Sequence, residues 1–87
     1  MYVIAVYDVA AERTAKLHKV CKRYLHWIQN STFEGELSEL QLRKLRDECR
    51  EQMDESYDSL ILFKSRNSKW LEKDIYGQER NDTGQFL

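Results

Sequence analysis

Tyr2-Val3-Ile4-Ala5-Val6-Tyr7-Asp8 is the stretch that decides how this 87-residue chain is read. Six consecutive apolar residues, rich in β-branched and aromatic side chains, are a strand signal. A strand with one wet face would alternate apolar with polar residues. This run does not alternate, so it is predicted to be buried on both faces and central in its sheet. It stops at Asp8, an acid placed where strand gives way to loop.

Working outward, a helix is predicted from about Ala11 to Leu25. Leu17, Val20, Cys21, Tyr24 and Leu25 recur at helical spacing and form a stripe suited to packing on a sheet. Lys16, Lys19, Lys22, Arg23 and His26 fall on the other side. The next segment, His26 to Leu37, reads as two short strands joined by a tight turn or bulge near Asn30. Ser38 and Gln41 stand three apart as a capping box and open a second helix that runs to about Met53. Leu42, Leu45, Cys49 and Met53 form its apolar face. Asp58-Ser59-Leu60-Ile61-Leu62-Phe63 is the second strongest strand. After a charged turn at Arg66-Asn67-Ser68, Lys69 to Tyr76 is expected to be a final edge strand. The order strand–helix–strand–strand–helix–strand is the ferredoxin-like βαββαβ arrangement of an α+β domain, here with one additional C-terminal strand. Residues 1–76 are expected to form the domain and residues 77–87 a strand or tail. The fold alone does not name a function.

Hydrophobic residues make up 41% and charged residues 33% of the chain, which separates it from disordered sequences. So short a chain has a modest core, and dimerisation is a common remedy. Cys21 and Cys49 are too far apart in sequence for a C-x-x-C pair and have no histidine at ligand spacing, so they read as buried thiols of a reducing compartment. Residues 1–9 are too short and wrongly flanked for a signal peptide or a membrane span, which points to a cytoplasmic protein without membrane contact.

The net charge of −1 gives no reason to propose nucleic acid, but the distribution does. Residues 11–26 hold five basic residues against the single acid Glu12, whereas residues 34–58 hold nine acidic and four basic residues. One part of the molecule is therefore suited to attract phosphate while another repels it.

Asp8 is the sharpest chemical feature. Read as a strand-end acid it either caps the following helix or serves as a metal ligand. A single carboxylate is a poor Mg²⁺ site, but a two-fold dimer would supply a second copy. Arg13 lines up with Leu17, Val20 and Tyr24 on the apolar side of its helix, near Asp8. It either clamps a phosphate bidentately or pairs with Asp8 or Glu12. Lys16, Lys19, Lys22 and Arg23 form an outward basic face, which is either a phosphate-backbone surface or an ordinary solvated one. Trp27 and Phe33 either pack in a core or interface, or stack on bases.

Tyr7-Asp8-Val9 at the strand end, Arg13 and Lys16 in the first helix, and Gln29-Asn30-Ser31-Thr32-Phe33-Glu34-Gly35-Glu36-Leu37 together resemble the CRISPR-associated protein 2 family. That family usually carries valine at the position of Thr32, a β-branched and near-isosteric difference. The resemblance covers nearly the whole chain. It implies a ferredoxin-like homodimer in which Asp8 faces its two-fold mate and binds Mg²⁺, with Tyr7, Arg13 and Phe33 near the site. It also implies metal-dependent endonuclease activity on single-stranded RNA or duplex DNA. The family bridges dimers of the CRISPR-associated protein 1 integrase during spacer acquisition, so the lysine face would hold DNA, and Tyr76 to Leu87 would cross to the second subunit or dock the integrase. A toxin-like ribonuclease related to virulence-associated protein D is the alternative, since that family shares the fold and the strand-end acid.

Overall fold

β1 (Tyr2–Asp8) lies at the centre of a four-stranded antiparallel sheet of order β2-β3-β1-β4, as its unbroken apolar run predicts. The structure, a computed structural model, describes residues 1–81. After β1 come α1 (Ala11–Tyr24), β2 (His26–Gln29), β3 (Thr32–Glu36), α2 (Glu39–Gln52) and β4 (Ser59–Ser65). This is the α+β ferredoxin-like order. No helix among the described residues is long and apolar enough to cross a membrane.

The register sorts the side chains onto two faces. Trp27, Phe33, Ala5 and Leu62 form one cross-strand row beneath the helices, and His26, Glu34, Ile4 and Phe63 form the next row on the opposite face. Val3, Ala5, Tyr7 and Phe33 are closed off under α1 and α2, where they meet Leu17, Val20, Cys21, Leu45 and Cys49. Tyr2, Ile4 and Val6 point the other way and are only half-buried. The expectation that β1 is buried on both faces is thus met on one. On the second face Glu34 is buried beneath Lys73, while Ile61 and Phe63 of β4 stay exposed beside Ile4 and Val6.

The short elements follow local chemistry. Ser38 Oγ accepts the Gln41 N–H at 3.1 Å while Gln41 Oε1 accepts the Ser38 N–H at 2.9 Å, so the capping box opens α2 as read from the sequence. Cys21 and Cys49 are fully buried free thiols, as expected. They face each other between the helices, where the hydrogen bond to Cys49 and burial push the Cys21 thiol up. β2 and β3 join through the tight turn Asn30-Ser31, with a bulge at Ile28. Asn30 takes a left-handed conformation, φ 48°, and its carbonyl accepts the Trp27 indole N–H at 2.9 Å. Asparagine tolerates that geometry and β-branched residues do not. Asn30→Val is expected to lose about 1–2 kcal/mol of stability in urea denaturation, and Asn30→Gly much less.

The edge strand expected over Lys69–Tyr76 does not form within the chain. Ser68–Trp70 is a 3-10 turn, opened by Asn67, whose Oδ1 accepts the Lys69 N–H at 2.9 Å. Residues 71–81 carry no strand. They turn back toward β3 and β2: Lys73 Nζ pairs with the buried Glu34, which also accepts the Tyr2 hydroxyl, and Asn81 donates to the Trp27 carbonyl. Residues 82–87, and with them most of the tail expected at 77–87, lie outside the described residues.

Candidate metal and nucleic-acid site

Asp8 ends β1 opposite Ser59 of β4, on the open face that also carries Ile4 and Val6. Its side chain is exposed. It does not cap α1. The N-cap position is Ala10, which has no side chain to do so. No described residue forms a hydrogen bond or ion pair with Asp8.

Asp58, the residue just before β4, does the work expected of Asp8 at the helix start. Its side chain is completely buried. Oδ1 accepts the Ala10 N–H at 2.9 Å and Arg13 Nη2 at 3.0 Å, while Oδ2 accepts Arg13 Nε at 2.6 Å and the Asp54 N–H at 2.9 Å. The Arg13 guanidinium, helped by the Asp54 and Ala10 N–H groups, outweighs burial and holds the Asp58 carboxyl well below the usual carboxylate range. The knot ties three segments together: the β1–α1 loop, the first turn of α1 and the α2–β4 loop.

This arrangement corrects the reading of Arg13. Its place on the apolar side of α1 was right, and an ion pair was one of the two expectations. The main partner is Asp58, with Glu12 at 3.6 Å as a lesser one. The fork that would clamp a phosphate is closed on a buried carboxylate. Arg13 is a positioning residue for the loop next to Asp8. A signal for Asp58 existed: an arginine pointing into a core needs a buried countercharge, and Asp58 flanks a strand that must lie beside β1.

Tyr7 is also corrected, whereas Phe33 packs in the core, one of the two expectations for it. Strand alternation puts Tyr7 on the face opposite Asp8, where it is buried and stacked on Phe33 with ring centroids 6.3 Å apart. Burial pushes its phenol up, and the ring lies on the face away from Asp8. Phe33 is wholly enclosed, with the His18 ring edge-on at 5.1 Å. It cannot stack on bases. Trp27 is half-buried on the same helix-covered face, tilted against His18 at 6.4 Å, and is a packing residue too.

The basic face of α1 divides. Lys16, Lys19 and Lys22 are exposed and make no ion pair among the described residues. Arg23 is tied to Glu48 of α2, which also accepts the Tyr24 hydroxyl. The lysines stand without an ion pair among the described residues, and Arg23 joins them as an exposed cation paired to a surface carboxylate.

No three His, Cys, Asp or Glu side chains converge to hold a metal among the described residues. At the end of β1 the carboxylate offered to a hard divalent cation is that of Asp8. That donor is of the right kind for Mg²⁺, which takes carboxylate, water and phosphate oxygens. Beside it on the open face, Ile61 and Phe63 of β4 are 50% and 57% exposed and continue the half-buried surface of Ile4 and Val6.

Residues 1–73 match the family described as CRISPR associated protein Cas2. The CRISPR-associated endoribonuclease Cas2 of Fusobacterium nucleatum subsp. nucleatum is 45% identical over 92 residues, covering 100% of this chain and 87% of that protein. The protein of the same name from Methanosarcina acetivorans is 38% identical over 87 residues, 100% of both chains. A crystal structure of a Cas2 protein superimposes with a TM-score of 0.80 at 40% identity, covering 93% of this chain and 91% of that one. With the strand-end acid, the ferredoxin-like order and the match across nearly its whole length, the chain belongs to the Cas2 family.

Proposed function

We propose that this protein is a metal-dependent endoribonuclease of the CRISPR adaptation machinery, whose site is completed by a second copy of the chain. The observation that carries this reading is that Asp8 and an uncovered apolar patch share one face of the sheet. The relatives described above are named endoribonucleases, which favours single-stranded RNA as the substrate and favours this reading over a toxin-like ribonuclease of the virulence-associated protein D type.

Isologous pairing through Ile4, Val6, Ile61 and Phe63 would bury the second apolar side of β1 and set one Asp8 toward the other. The two carboxylates would hold Mg²⁺, which when bound polarises a phosphodiester and lowers the pKa of a coordinated water. The chain's own residues do the rest. The Arg13–Asp58 knot fixes the loop that follows Asp8. Lys16, Lys19 and Lys22 hold the phosphate backbone without reading sequence. In the adaptation complex the same lysine face would hold duplex DNA. The segment beyond residue 76 would meet the second copy or the CRISPR-associated protein 1 integrase.

The test is Phe63→Glu, which places a charge in the patch without disturbing the core, since Phe63 is mostly exposed. The variant is expected to sediment as a monomer with an unchanged circular dichroism spectrum and to lose Mg²⁺-dependent RNA cleavage at least about tenfold, the effect of removing half the carboxylates from the ion. A monomer that cleaves as fast as the wild type would show that one chain carries the whole site.

A further inference from the structure

Between α2 and β4, two hollows of about 440 and 360 Å³ share Arg46 and Leu62 in their walls and so form one groove. Its floor is Leu42, Leu60 and Leu62, which pack against the core but remain only partly buried. Arg43, Arg46 and Arg50 stand at i, i+3 and i+7 along one side of α2, and Lys64 faces them from β4. All four cations are exposed. Arg43 and Lys64 make no ion pair among the described residues. Arg46 pairs with Asp47 at 3.0 Å and Arg50 with Glu55 at 3.2 Å, both at the surface. Such exposed pairs hold weakly and exchange readily for a better carboxylate. By sequence, residues 34–58 are net acidic. The fold sorts that charge, setting Glu48 toward α1 and the three arginines toward β4.

We infer that this groove docks a protein partner through a segment that alternates apolar and acidic side chains. The apolar floor suits aliphatic side chains, and the cationic rim suits the carboxylates between them. Nucleic acid fits less well. A phosphodiester chain has no aliphatic side chain to bury on three leucines. The free lysines of α1 have no acid after Glu12 beside them in sequence, which is the contrast expected between a phosphate surface and a peptide surface. A second copy paired through Ile61 and Phe63 would lie on the opposite face of the sheet, because Leu60, Leu62 and Lys64 alternate with those residues. The groove would therefore stay open in the proposed dimer. This inference goes beyond the nuclease reading and involves neither Asp8 nor the open face.

The test is an amide NMR titration of the full chain with an eight-residue peptide of alternating leucine and glutamate, a matched leucine–lysine peptide, and a single-stranded RNA. The leucine–glutamate peptide is expected to shift amides of α2 and β4. Its Kd is expected to weaken at least fivefold in Arg43→Gln/Lys64→Gln and to stay unchanged in Lys16→Gln/Lys19→Gln. The leucine–lysine peptide should leave the groove unshifted. The inference is overturned if the leucine–glutamate peptide does not bind, if RNA shifts the same α2 and β4 amides, or if the Arg43→Gln/Lys64→Gln protein loses its dimer, which would make the groove a contact between copies. Wild-type RNA cleavage by that variant, alongside weakened peptide binding, would separate docking from the nuclease reading.

Discussion

Asp8→Ala is expected to lower Mg²⁺-stimulated RNA cleavage by about 100-fold or more while leaving the melting temperature nearly unchanged. The two halves of this expectation have separate causes. Asp8 is exposed, does not cap α1 and its side chain has no partner among the described residues, so its removal is a surface substitution, worth within about 0.5 kcal/mol of stability. The chemical loss is large because a symmetric pair loses both carboxylates in one substitution. A bound metal contributes several kcal/mol to a charged transition state, and about 2.7 kcal/mol corresponds to 100-fold. Asp8→Asn keeps the shape of the side chain and should fall nearly as far, because the charge is what binds the ion. The measurement is a time course on labelled RNA, with Mg²⁺ and with a chelator, beside a thermal melt. Wild-type cleavage by Asp8→Ala that a chelator still abolishes would place the metal elsewhere.

Asp58→Ala should give the opposite pattern, with folding lost first. It leaves the Arg13 guanidinium, only 22% exposed, without its main countercharge, and it orphans the Ala10 and Asp54 N–H groups. Breaking a buried pair by removing one partner is among the costliest substitutions, and in a domain this small the melting temperature should fall by more than about 10 °C. Cleavage measured well below the new midpoint would report how far the loop beside Asp8 depends on the knot. Acid adds a second signature. The folded protein keeps Asp58 ionised at lower pH than the unfolded chain does. Its contribution is therefore full above about pH 5 and is lost as pH falls through the ordinary carboxylate range toward the lowered folded value. Asp58→Asn should flatten this part of the stability–pH curve, and an unchanged acid limb would place the acid sensitivity in other carboxylates.

The contrast between these two aspartates shows what was legible in the sequence. β1, both helices and the Ser38–Gln41 box announce themselves within a few residues, because strand run, helical stripe and capping box are local patterns. The turn at Asn30 was legible for the same reason. Asp58 was not, because its meaning depends on Arg13, which is 45 residues away in sequence and 2.6 Å away in space. Tyr7 entered as a near-site residue through the resemblance alone. It adjoins Asp8 in sequence, but in a strand that adjacency guarantees opposite faces. The misplaced final strand has a different cause. Trp70, Leu71, Ile75 and Tyr76 have strand propensity, but a strand needs an edge to pair with, and the chain turns this segment back to Glu34 and Trp27 instead. The unalternating β1 run was read as a sign of burial on two sides. One side is met by α1 and α2, and the other is the strongest sequence argument for a second molecule.

The Arg13–Asp58 knot also sets an order of events during synthesis. Arg13 and Asp8 are made early, but the carboxylate that settles their loop and the strand that flanks β1 at Ser59 come only after α2 is complete. A nascent chain that has emerged only through Gln52 carries a guanidinium without its countercharge and a central strand with one bare edge. The loop beside Asp8 is therefore fixed in place only once β4 has been made.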